Sequence, residues 1–114
     1  VLVVDDGSEN RELIQLVLAG VGIQSTTAVH GLEGLTLAQQ GDYDLILMDV
    51  QMPVMDGYTA VAKMRELGVE IPVVALTAHA MKGIEQRCLS AGYSHYMTKP
   101  IDINALLKLM AELL

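Results

Sequence analysis

Five short runs of strand character alternate with segments of helical spacing, and that alternation leaves few folds open. The runs are Val1 to Val4, Ile23 to Ala28, Leu45 to Met48, Ile71 to Leu76 and Ser94 to Thr98. Leu45 to Met48, for one, is too short for a helix and is flanked by polar residues. Between the runs the spacing predicts helices. The first opens at Ser8 as N-cap, with Glu9 and Glu12 in its first turn, and stops at Gly20 and Gly22. The second runs from Gly31 to Gln40 with Leu32, Leu35 and Ala38 on one face. The third runs from Gly57 to Leu67 on Ala60, Val61 and Met64, with Gly68 as stop. The fourth, Met81 to Ser90, is more polar and interrupted by Gly83. The last runs from Asp102, its N-cap, to Leu114, with Ile103, Leu106, Leu107 and Met110 as core face. A fivefold β-α alternation implies an α/β fold, a parallel sheet covered by helices on both faces. Right-handed crossovers then bring the C-terminal ends of all strands to one edge, where open α/β sheets bind ligands.

A chain of 114 residues is read as one domain, 1–114, and a start at Val1 directly in a strand reads as a piece of a larger protein. With no Trp and no Phe the core must be aliphatic. The net charge of −7 argues against nucleic acid as a partner, because phosphate contacts need Lys and Arg. One cysteine, Cys88, gives neither an internal disulfide nor a zinc site and fits a reducing compartment. No apolar run has membrane-spanning length and no signal peptide is visible, so no membrane contact is expected of this domain.

What the strand ends carry is more specific. The first run ends on Asp5-Asp6, the third on Asp49, the fourth on Thr77 and the fifth on Lys99. Taken singly, an Asp after an apolar run is a turn former, Thr77 a capping hydroxyl and Lys99 a solvated lysine. Together on one rim they make a site. Two carboxylates about 4 Å apart repel by roughly 4 kcal/mol at an effective dielectric near 20. Lys99 supplies one compensating charge, and a hard divalent cation would supply more. Carboxylates, water and a backbone carbonyl suit Mg²⁺. A metal, a lysine and a hydroxyl aimed at one point are what a transferring phosphoryl group needs. On this reading Asp49 is either a metal ligand or a nucleophile forming an acyl phosphate. Ala78 leaves the approach open, and the Lys99-Pro100 bond can be cis, which would turn Lys99 back over the site.

The segments Val3-Val4-Asp5-Asp6, Met48-Asp49-Val50-Gln51-Met52-Pro53-Val54-Met55-Asp56-Gly57, Leu76-Thr77-Ala78-His79-Ala80-Met81 and Tyr96-Met97-Thr98-Lys99-Pro100 resemble the receiver domain of two-component response regulators. With Asn10-Arg11 after the acid pair, the chain looks most like the receivers of hybrid sensor histidine kinases. The resemblance implies a flavodoxin-like doubly wound (βα)5 sheet with strand order 2-1-3-4-5. It implies that Asp49 accepts a phosphoryl group from a phosphohistidine on a histidine kinase or histidine phosphotransfer protein. Asp5, Asp6, Asp49 and the Gln51 carbonyl would hold Mg²⁺, and Lys99 would pair with the phosphoryl group. Thr77 would move toward it and Tyr96 swing inward, rearranging the surface of helix four, strand five and helix five for an output domain or downstream protein. The domain would then be no enzyme beyond catalysing its own phosphorylation and dephosphorylation. Its place would be cytoplasmic, whether or not the parent is membrane-anchored, and a homodimer is left open. Gly7 stands where many relatives carry Asn, and Gln51 and His79 occupy places that tune phosphoryl lifetime in the family.

Two other readings compete. An aspartyl-nucleophile phosphatase needs a second Asp two residues after the nucleophile, and that place is Gln51. A receiver-like interaction module working without phosphorylation would not need the complete site. His30, His79 and His95 lack metal-ligand spacing; His30 reads as a helix-start residue, and Met52 and Met55 as loop packing. The GxxG of Gly31 and Gly34 lies in a predicted helix of an acidic chain, against a nucleic-acid clamp. No Walker loop or GxGxxG is present.

Overall fold

The computed structural model describes residues 1–78 and 82–114. Its elements alternate along the chain as β1 (Leu2–Val4), α1 (Ser8–Gly20), β2 (Thr26–Ala28), α2 (Gly31–Gln40), β3 (Ile46–Asp49), α3 (Gly57–Glu66), β4 (Val73–Thr77), α4 (Ile84–Ala91), β5 (His95–Thr98) and α5 (Ile103–Leu113). The strands form one parallel sheet in the order β2-β1-β3-β4-β5, the doubly wound arrangement. Among the described residues no helix is long and apolar enough to cross a membrane.

Strand residues alternate between two cores, as a period of two demands. Leu2, Val4, Ile46, Met48, Val73 and Ala75 face one cluster, closed by α2, α3 and α4 through residues such as Leu35, Val61, Met64 and Cys88. Val3, Leu47, Val74 and Leu76 face the other, closed by Ile14 and Leu18 of α1 and Leu106 and Met110 of α5. Central strands buried on both faces carry no polar side chain until their ends, so polar groups gather at the sheet's rim. The two glycines of α2 are packing devices. A Cβ at Gly31 would overlap the Met55 backbone, and one at Gly34 would come within 2.8 Å of the Val4 side chain.

Several boundaries differ from the sequence expectation. Ser8 lies inside α1 instead of capping it; Gly7 holds the cap position, without a side-chain cap bond. β2 is shorter than the run Ile23 to Ala28, because β1 offers only Leu2, Val3 and Val4 for pairing. Ile23 packs instead against the α1–α5 core, and its N–H donates to the Leu18 carbonyl at 2.9 Å. α4 starts at Ile84, since Gly83 at φ +88° is outside α-helical space and caps the helix instead of interrupting it. Met81, the expected start, lies outside the described residues, as do His79 and Ala80. On α5 the buried stripe is Leu106 and Met110, flanked by Leu109 and Leu113; Ile103, on the helix's first turn, is 41% exposed. Asp102 caps α5 as expected, accepting from the Ala105 N–H at 3.1 Å. His30 caps α2, its Nδ1 accepting from the Glu33 N–H at 3.1 Å, and Asp56 caps α3.

Candidate functional site

The parallel sheet places Asp5 just past β1, Asp49 at the end of β3, Thr77 at the end of β4 and Lys99 just past β5. Asp5, Asp49 and Thr77 are buried, and Asp6 is exposed. One oxygen from each of Asp5, Asp6 and Asp49 lies within 4.8 Å of the other two. Lys99 reaches into this cluster. Its Nζ is 3.0 Å from Asp5 Oδ2 and 2.9 Å from Asp49 Oδ2, so one ammonium bridges two carboxylates.

Backbone groups hold the acids in place. The Gly7 N–H donates to Asp5 Oδ1 at 2.8 Å, and the Gln51 N–H donates to Asp49 Oδ1 at 3.2 Å. Arg11, on the first turns of α1, donates from Nη1 to the Asp5 carbonyl at 2.7 Å. The Lys99 N–H donates to the Thr77 carbonyl at 2.7 Å, which ties the end of β5 to the end of β4. The Lys99-Pro100 bond is cis.

The electrostatics is that of an under-compensated acidic cleft. Burial raises the Asp49 pKa, the Lys99 and Gln51 hydrogen bonds pull it back, and the Asp5 charge adds to the rise; the net is upward. Burial alone would lower the Lys99 pKa, but its hydrogen bonds to Asp49 and Asp5 outweigh that and raise it. Lys99 is therefore a fixed cation at any physiological pH. Among the described residues three carboxylates face one ammonium, and the carboxylate donors are hard oxygens. The donor set of Asp5, Asp6 and Asp49 would suit a hard divalent cation.

The acids and Lys99 thus meet as the sequence predicts. Thr77 is at the same rim and buried; Ala78 beside it is exposed. Gln51 presents its N–H to Asp49, while its side chain is exposed. Tyr96 sits on β5, half-buried against the α2–α4 core and paired in register with Ala75. His79 lies outside the described residues. Met52 and Met55 pack against the same core, and Cys88 is a buried free thiol.

Three contributors take roles here that no sequence pattern assigns them. Tyr93 donates its hydroxyl hydrogen to the Asp49 carbonyl at 3.3 Å. Gly57 leaves the space in which these two groups meet. Arg11 stood out only as part of a resemblance, without a contact to point to.

The family model described as the response regulator receiver domain matches residues 1–111. The sensor histidine kinase RcsC of Salmonella typhi is 40% identical over 111 residues, 97% of this chain. The chain spans only 12% of the length of that relative. The receiver domain of the sensor histidine kinase PA1611 from Pseudomonas aeruginosa PAO1, solved with a magnesium ion coordinated in its active site cleft, superposes with a TM-score of 0.88. It is 35% identical, covering 97% of this chain and 93% of that one. The receiver domain of Saccharomyces cerevisiae Ssk1, solved with the histidine phosphotransfer protein Ypd1, gives a TM-score of 0.93 at 28% identity, covering 97% of this chain and 85% of that one.

Proposed function

The chain belongs to the response regulator receiver domain family, and from that premise we propose that Asp49 is its phosphoryl acceptor. The donor is a phosphohistidine on a histidine kinase or phosphotransfer protein. An Asp49 carboxylate oxygen attacks phosphorus, the P–N bond breaks, and the imidazole leaves with a proton from solvent, giving an acyl phosphate. In dephosphorylation, water attacks the phosphorus and loses a proton, the P–O bond to Asp49 breaks, inorganic phosphate leaves and the carboxylate is restored.

The observation that carries this reading is the Lys99 ammonium held between Asp5 and Asp49 at 3.0 and 2.9 Å. When the phosphoryl group arrives, Lys99 exchanges a carboxylate partner for a phosphoryl oxygen without moving far. Asp5, Asp6, Asp49 and the Gln51 carbonyl are the residues proposed to hold Mg²⁺, which would neutralise the phosphoryl oxygens. The buried end of β4 supports Thr77 as the hydroxyl that follows the new dianion. Tyr96, half-buried, would fill behind it, so that α4, β5 and α5 become the surface read by an output domain or downstream protein. The RcsC and PA1611 similarities favour a hybrid kinase as parent, with residues 1–114 as its receiver domain. We propose a cytoplasmic place for this domain, where a phosphohistidine donor would meet it. A hydrolase is disfavoured because Gln51 has no acid-base function where such an enzyme needs a carboxylate.

Intact mass after incubation with acetyl phosphate and Mg²⁺ tests the reading. One added phosphoryl group is expected, lost with EDTA and in Asp49→Asn. Labelling of Asp49→Asn at the wild-type level would remove Asp49 as acceptor. If neither acetyl phosphate nor a phosphohistidine protein labels the wild type, the reading gives way to a phosphorylation-independent module.

A further inference from the structure

Tyr93 sits in the turn between α4 and β5, outside the motifs that mark the site, and is 3% exposed. Its surroundings leave the ring one place to be. The Tyr93 N–H donates to the Cys88 carbonyl at 3.1 Å. Next to it, Arg65 Nε donates to the Gly92 carbonyl at 3.0 Å. Tyr58 meets the Tyr93 ring edge-on, with centroids 6.2 Å apart and planes at 89°. Tyr58 is in turn covered by the Arg87 guanidinium, 4.2 Å from its centroid. The hydroxyl so aimed donates to the main-chain carbonyl of Asp49, 44 residues away in sequence. Burial, the largest cause, holds the phenol well above its ordinary range, so it remains a protonated donor.

The space for this contact is built by a glycine. A Cβ on Gly57 would overlap the Tyr93 hydroxyl and the Asp49 carbonyl and come within 2.9 Å of Val50 Cα. The Gly57 N–H meanwhile donates to the Val50 carbonyl at 3.0 Å. Asp49 is thus gripped at two ends. Lys99 and the Gln51 N–H hold its carboxylate, and Tyr93 holds its carbonyl.

We propose that Tyr93 is a positioning residue for the acceptor, fixing the Asp49 peptide so that the carboxylate projects toward Lys99 and the acid pair. The proposal rests on the reading of Asp49 as phosphoryl acceptor. It makes the α4–β5 turn part of the reaction's geometry, by way of a side chain that never meets the phosphoryl group.

Tyr93→Phe keeps the ring and removes the donor. Tyr58→Phe removes a neighbouring hydroxyl that has no bond to Asp49. Both are compared with the wild type by thermal melting, by the carbonyl ¹³C resonance of Asp49, and by the rate of acyl phosphate formation at saturating Mg²⁺ and donor. Tyr93→Phe is expected to fold, to shift the Asp49 carbonyl resonance upfield, and to lose about three- to tenfold in rate, the worth of one buried hydrogen bond, while Tyr58→Phe stays within about twofold. Should Tyr93→Phe not fold, Tyr93→Met takes its place, a flexible side chain able to fill the slot. A wild-type rate in the Tyr93 variant overturns the proposal. So does an equal loss in both variants, which would be a packing effect. A wild type that no phosphodonor labels removes the acceptor reading itself, and this proposal with it.

Discussion

Asp49 is buried among groups that only partly compensate its charge, and its pKa is raised in consequence. A carboxyl with a raised pKa binds its proton more tightly in the folded chain than in the unfolded one. Its contribution to stability is full below the ordinary carboxylate range and is lost as pH rises through the raised value. At neutral pH the ionised group therefore works against the fold. Asp49→Asn is expected to raise the melting temperature in metal-free buffer at pH 7, with the gain fading below about pH 4. Melts across that range check it; a lower melting temperature at pH 7 would contradict the sign. Val54 is a second strained residue, a β-branched side chain at φ +69° and 73% exposed. Val54→Asn, which tolerates that conformation, is expected to add about 1 kcal/mol to stability, measurable by urea unfolding. At this scale the sequence shows the acids, Thr77 and Lys99, because each ends a strand-like run. It hides Tyr93, because a single hydrogen bond across 44 residues leaves no periodic trace.

Among the elements, those with strong periodicity were legible almost to the residue: α2 begins and ends as its spacing predicts, and β3 and α3 are within a residue of expectation. The misses are where partners decide. β2 is cut short by the length of β1, and α4 starts late because of the conformation of Gly83. Arg65 is a tertiary strap that no local pattern announces. From α3 it donates to the carbonyls of Gly92, Val69 and Ile71 at 2.8 to 3.0 Å, joining the end of α3 to the start of β4 and to the turn before β5. Arg65→Ala is expected to cost about 1–3 kcal/mol in a denaturant titration, since it leaves three part-buried carbonyls without this donor. Arg65→Met, which keeps the packing stem, should recover only part of that. α4 is the opposite case. It has eight residues and buries one side chain, Cys88, where α3 of ten residues buries three, Ala60, Val61 and Met64. Its amides are expected to exchange with solvent faster than those of α3 in a native-state hydrogen-exchange experiment. Equal protection of the two helices would argue against α4 as the element that yields when the site is filled.

At the scale of the whole molecule, a net charge of −7 and an oxygen-lined acidic rim mean that cations bind with the overall field in their favour. Mg²⁺ is expected to stabilise the fold, by ~2.7 kcal/mol when its free concentration is about a hundred times the dissociation constant. Differential scanning calorimetry with Mg²⁺ and then EDTA checks this, and Asp6→Ala should respond far less. The parallel sheet with helices on both faces was legible from alternation, and its doubly wound strand order from the resemblance. Which helix covers which face follows from that strand order and right-handed crossovers, and not from any helix's own pattern. The outcome has a bearing on how the chain is made. One side of the sheet is closed by α2, α3 and α4, all from the middle of the sequence, and the other by α1 and α5 together. During synthesis the first side can pack while the chain is still emerging. The second stays open, with Ile14 and Leu18 waiting, until Leu106 and Met110 have left the ribosome. The last helix is therefore a latch: until it arrives, the nascent chain shows an apolar sheet face to whatever chaperone is nearest.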